Sequence, residues 1–161
     1  MIVHHDVREV DVAAAGRVVE IARRVAAAGP VELALADTIG VAVPRQVSEL
    51  VRLLRAAVPD IALRCHFHNT RNTGLANALA AVEEGVTTLD ASTGGIGGCP
   101  FAPAATGNIP TEDLLYLLHR SGYSTGISLD RIIAVSRWLQ EQLGRPVPSM
   151  LLKAGPFPRV A

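Results

Sequence analysis

From Val12 to Ala28 apolar side chains recur at helical spacing: Val18, Ile21, Ala22 and Val25 share one face, while Arg17, Glu20, Arg23 and Arg24 lie mostly opposite. Gly29-Pro30 ends that helix. Residues 31–36, Val-Glu-Leu-Ala-Leu-Ala, read as a short buried strand with Asp37-Thr38 directly behind it. A second cycle opens at Pro44, which suits a first helical turn, and Val47, Leu50, Val51, Leu54 and Val58 form its apolar stripe up to Pro59-Asp60. Residues 61–67 form the next strand. A third cycle runs through a helix over about 72–84, stops at Gly85 and enters a strand over 86–91. Strands separated by about 25 to 30 residues, each preceded by one amphipathic helix, predict an α/β fold with a parallel sheet and helical crossovers.

Beyond the third strand the pattern changes. A glycine-rich loop runs from Ser92 to Pro100, and two helices follow. The first starts at Thr111, a good N-cap type, with Glu112 and Asp113 suitably placed in its first turn. The second covers 129–143, with Ile132, Val135 and Leu139 expected inward. Residues 144–161 carry four prolines and read as an irregular tail. The chain reads as one domain over residues 1–161, with an atypical stretch at 1–10.

Composition narrows the function. Apolar residues make up 49%, which excludes a disordered chain. Fifteen basic and fifteen acidic side chains balance to zero, and only six residues are aromatic, so nucleic acid is not an expected partner. Arginine replaces lysine everywhere except at Lys153. Cys65 and Cys99 have neither a disulfide framework nor zinc-ribbon spacing, which fits a reducing compartment. No apolar run reaches membrane-spanning length and the N-terminus lacks a signal-peptide core, so the expectation is a soluble cytoplasmic protein.

The candidate chemistry sits at strand ends. His66 and His68 are two apart, so on a strand both imidazoles project to the same side and can converge on one ion. The plainer reading of such a pair is two imidazoles satisfied by ordinary hydrogen bonds. Asp37 occupies the matching place on the preceding strand, where a carboxylate can act as a base, orient a histidine or simply cap a turn. Cys99 lies among glycines that permit close backbone approach to a ligand, and its thiol is a candidate nucleophile or proton donor. Cys65 should point away from His66, toward the helices, as an inert small hydrophobe. Gly107-Asn108 reads locally as a turn, and His4, His5 and His119 carry no expected role.

Taken together, Asp37-Thr38-Ile39-Gly40-Val41, His66-Phe67-His68-Asn69-Thr70, the run from Gly94 to Ala102 and Gly107-Asn108 resemble the 3-hydroxy-3-methylglutaryl-CoA lyase family in order and spacing. The resemblance covers about residues 10–153. It implies a partial (β/α)8 TIM barrel comprising roughly the last three βα units plus C-terminal helices. It further implies that His66, His68 and Asn108 bind a divalent cation (Mg²⁺ or Mn²⁺), that Cys99 manages the proton at the enolate carbon and that Asp37 supports catalysis. The implied reaction is retro-Claisen cleavage of a 3-hydroxy-3-methylacyl-CoA to acetyl-CoA and a keto acid. The histidine motif is shared with the isopropylmalate and homocitrate synthases and with pyruvate carboxylase, whereas the Gly-Gly-Cys-Pro loop is more characteristic of the lyases.

The family's first-strand arginine and ligating aspartate have no counterpart here, and Asp6-Val7-Arg8-Glu9 matches them in residue type only. His66, His68 and Asn108 are then a neutral ligand set, for which Zn²⁺ or Mn²⁺ competes with Mg²⁺. A three-stranded piece of a barrel leaves open edges and apolar faces. The expected partners are therefore an acyl-CoA together with either a second copy of the chain or a chain supplying the missing barrel half. Two alternatives stand beside the lyase: an inactive metal-binding or interaction module left from a truncated lyase, and a Claisen-type condensing synthase.

Overall fold

The computed structural model describes residues 2–4, 12–98 and 107–157. The predicted alternation is realised as a parallel sheet of four strands in the order β1 (Ile2–His4), β2 (Glu32–Asp37), β3 (Ala62–Phe67) and β4 (Thr88–Asp90). Helices α1 (Val12–Ala26), α2 (Pro44–Ala57) and α3 (Gly74–Glu83) make the crossovers. After β4 come a 3₁₀ turn at Thr93–Gly95, then α4 (Thr111–Arg120), α5 (Leu129–Leu143) and the short α6 (Leu151–Ala154).

Strand alternation separates two chemistries. Leu33, Leu63, Cys65 and Phe67 are buried among the helices, whereas Glu32, Arg64, His66 and Asp90 stand half-exposed on the opposite face. Val18, Ala22 and Val25 of α1 and Val47, Val51 and Leu54 of α2 supply the helical side of the core. Helix α3 presents Ala78 and Ala81, both fully buried, and these small side chains let its backbone lie close to the sheet and to α2. In a closed barrel the polar face of such a sheet lines the interior.

Several expectations need correction. The sequence shows three strands, but residues 2–4 add a fourth, pairing His4 with Ala36, so part of the atypical first stretch belongs to the sheet. A strand of three residues is too short to declare itself by alternation. The inward face of α5 is displaced: Ile133 and Ser136 are buried, while Val135 is 47% exposed. Ile21 of α1 is likewise exposed. Pro110, not Thr111, occupies the N-cap position of α4, and it makes no side-chain capping bond. The tail is not irregular throughout, because α6 is anchored to Asp113, whose Oδ1 accepts from Ser149 Oγ (2.9 Å) and the Leu151 N–H (2.8 Å) and whose Oδ2 accepts from the Met150 N–H (2.9 Å). Among the described residues no helix is long and apolar enough to cross a membrane.

Candidate active site

Because the strands are parallel, their carboxyl ends gather on one rim, as catalytic groups do in barrel enzymes. Asp37 ends β2, His68 follows the last residue of β3, and Asp90 ends β4. The His68 N–H donates to the Asp37 carbonyl (3.3 Å). His68 also forms an isolated antiparallel bridge with Asn108, flanked by bonds from the Asn69 N–H to the Gly107 carbonyl (3.0 Å) and from the Ile109 N–H to the Phe67 carbonyl (3.3 Å). The segment after the glycine-rich loop is thus stitched onto the end of β3, which brings Asn108 beside the histidine pair. Gly107 permits this approach. Its φ is +129°, and a Cβ there would lie 2.9 Å from the Gly95 carbonyl oxygen and 3.0 Å from that of Gly97.

The two imidazoles lie with ring centroids 5.1 Å apart at 67°. His66 Nδ1 is hydrogen-bonded to Asp90 Oδ1. His68 is almost fully buried, and its Nδ1 has no hydrogen-bond partner. Burial first and the neighbouring His66 second hold the His68 pKa below the usual histidine range, against the opposing pull of Asp37. A ring kept neutral in this way has a lone pair to offer. The side-chain amide of Asn108 donates from Nδ2 to the Ile96 carbonyl (3.0 Å), which leaves its oxygen as the atom to accept or ligate.

Asp37 is committed to the backbone. Its Oδ1 accepts from the Val41 N–H (3.0 Å) and its Oδ2 from the Ala42 N–H (3.1 Å), closing the Asp-Thr-Ile-Gly turn beneath His68. Buried Asn77 of α3 donates to the Ala42 carbonyl (2.8 Å) and secures the same turn. Cys65 points into the helix layer as expected, and burial pushes its thiol up to about 12. Cys99 lies outside the described residues.

Sequence assigns neither Asp90 nor Glu112 an individual role in the site. Asp90 reaches His66 because β3–β4 pairing sets them opposite each other, a register that local pattern does not encode. Glu112 reads as a first-turn acid of α4, yet it is fully buried and its Oε2 accepts from the Gly94 N–H (3.1 Å), holding the root of the glycine-rich loop. Among the described residues no three His, Cys, Asp or Glu side chains gather as a metal-holding group, so the rim cluster is two histidines and an amide.

A four-stranded parallel sheet with nitrogen and amide donors on its carboxyl rim fits part of a TIM barrel with a candidate ion site. The HMGL-like family matches residues 6–139, and the chain belongs to that family. It is 52% identical over 145 residues to an (R)-citramalyl-CoA lyase of Chloroflexus aurantiacus, covering 89% of this chain and 46% of that protein. It is 43% identical over 122 residues to a hydroxymethylglutaryl-CoA lyase of Bacillus subtilis, covering 76% of this chain and 41% of that one. An HMG-CoA lyase from Acinetobacter baumannii, solved with coenzyme A and 3-methylmalate, superposes with a TM-score of 0.84 at 44% identity, over 91% of this chain and 48% of that chain. The chain therefore spans less than half the length of these relatives.

Proposed function

We propose that this chain carries the metal-binding rim of a carbon–carbon lyase that cleaves a 3-hydroxy-3-methylacyl-CoA to acetyl-CoA and a keto acid. The observation that carries the proposal is the His66–His68 pair at the end of β3, with Asn108 bridged to His68. The donor set fits a divalent cation: His68 is buried with an unpartnered ring nitrogen, His66 has one nitrogen committed to a carboxylate, and Asn108 has its amide nitrogen committed elsewhere. When bound there, such an ion supplies Lewis-acid polarisation of the substrate's tertiary hydroxyl and carboxylate. With no charged ligand among His66, His68 and Asn108, Mn²⁺ or Zn²⁺ should be held in preference to Mg²⁺.

The chain's own residues do the rest. Asp37 supports the site by fixing the turn against which His68 packs. Cleavage releases the proton of the tertiary hydroxyl to solvent, turns the hydroxyl-bearing carbon into a ketone and leaves the acetyl-CoA enolate; the Cys99 thiol gives a proton to the enolate carbon, and the resulting thiolate regains one from solvent. The substrate class is a branched 3-hydroxyacyl thioester bearing a second carboxylate. The similarity to a citramalyl-CoA lyase and to HMG-CoA lyases supports both chain lengths of acid. A complementary barrel segment, or a second copy of the chain, completes the site.

The test is acetyl-CoA release from citramalyl-CoA and from 3-hydroxy-3-methylglutaryl-CoA, with Mn²⁺, by the chain alone and mixed with the N-terminal half of an HMGL-like barrel. Turnover on complementation, abolished by His66→Ala and cut by about 10²–10⁴ in Cys99→Ala, is the expected result. Turnover that ignores metal and Cys99, or none in any combination, would contradict the proposal and favour an inactive binding module.

A further inference from the structure

Behind His66 stands a polar ladder that no sequence motif announces. Glu32 on β2, Arg64 and His66 on β3, and Asp90 on β4 all project from the face opposite the helices. Arg64 Nε donates to Glu32 Oε1 at 2.6 Å, Arg64 Nη1 lies 3.8 Å from Asp90 Oδ2, and Asp90 Oδ1 bonds to His66 Nδ1. We infer that Asp90 is the positioning residue that fixes the tautomer and ring orientation of His66 for metal binding, with Arg64 and Glu32 steadying its carboxylate. This inference rests on the proposed metal site and adds to it a residue outside the ligand set.

Imidazole carries one hydrogen on either nitrogen when neutral, and only the bare nitrogen can ligate. A carboxylate at Nδ1 selects the Nδ1–H form, turns the Nε2 lone pair outward and raises its basicity, as carboxylate partners do at metal sites generally. Arg64 does not provide a rival explanation for Asp90. Its close partner is Glu32, and its contact with Asp90 is the longer one, so the short bond of Asp90 belongs to His66. Asp90 also places a negative charge one ring away from a ligand set that has none of its own.

The test reads the tautomer and the affinity separately in the full 161-residue chain. Imidazole ¹H–¹⁵N correlation spectra of the metal-free protein at pH 8 report which nitrogen of His66 is protonated, and Mn²⁺ titration followed by electron paramagnetic resonance reports binding. The wild type should show the Nδ1–H form. Asp90→Ala should move His66 toward the Nε2–H form and raise the Mn²⁺ dissociation constant by about 10–100-fold. Asp90→Asn keeps an acceptor oxygen, so it should restore the tautomer and recover affinity to within about tenfold of wild type. Where Asp90→Ala does not fold, Asp90→Leu, which keeps the branched four-atom side chain without its oxygens, takes its place with the same expectation. An unchanged tautomer, or a changed tautomer with unchanged affinity, would overturn the inference. A wild type that binds no Mn²⁺ while showing the Nδ1–H form would sink the metal site and the inference with it, a failure visible apart from the tautomer result.

Discussion

At His68 two requirements pull apart. A buried imidazole with an unpartnered Nδ1 costs stability, and the same bare nitrogen suits a ligand. His68→Leu should therefore leave folding stability within about 1 kcal/mol of wild type, or raise it, since it removes a desolvated polar group worth about 1–3 kcal/mol. The same variant should lose metal binding. Urea unfolding beside an Mn²⁺ titration checks both halves, and a large stability loss with metal binding retained would contradict them. Cys65 gives a pH prediction. Its thiol pKa is raised from 9.0 to about 12 in the folded chain, so the folded state holds its proton while the unfolded state releases it. Stability from this group is complete below pH 9 and falls as pH rises from 9 toward about 12. Cys65→Ala should flatten that part of an alkaline denaturation series. At this scale the histidine pair was legible because a spacing of two fixes a common side on any strand. The partner of His66 was not, because Asp90 is brought there only by strand register.

Helices and loops were legible in proportion to their length. Of the stripe Val47, Leu50, Val51, Leu54 and Val58, all are buried as the spacing predicts except Leu50, which is half-buried. Helix α5 shows the limit, since its apolar residues outnumber the inward positions and only packing selects Ile133 over Val135. The first turn of α4 carries functions that helix-dipole reasoning does not reveal: Glu112 grips the Gly94 N–H, and Asp113 caps the start of α6. Asp113→Ala removes three hydrogen bonds and should cost about 2–4 kcal/mol, with protease cleavage appearing near residues 145–150. Unchanged urea midpoints and an uncut tail would count against that anchor. Gly107→Ala forces a side chain into a φ of +129° against two carbonyl oxygens. It should cost at least about 1–3 kcal/mol and displace Asn108, seen as weakened Mn²⁺ binding.

For the whole molecule, the α/β class and the parallel sheet followed from the alternation of elements, and the barrel relationship from motif order. The described sheet pairs β4 on one side only, and beside its other edge runs a groove of about 770 Å³ lined by Leu114, Leu115 and Leu118 of α4 together with Tyr123 and Ile127. An uncovered edge beside apolar surface favours strand addition. The 161-residue chain should therefore self-associate in sedimentation velocity, and a complementary barrel half should dissolve those assemblies. A monomer with a sharp cooperative melt would contradict this. The proposed lyase site requires an ion held at the rim. The most direct measurement is Mn²⁺ binding to the purified chain by electron paramagnetic resonance, beside His66→Ala, His68→Ala and Asn108→Ala. One ion per chain, lost in both histidine variants and weakened in the asparagine variant, is the predicted result. Equal binding in all four proteins, or none in the wild type, would contradict the account.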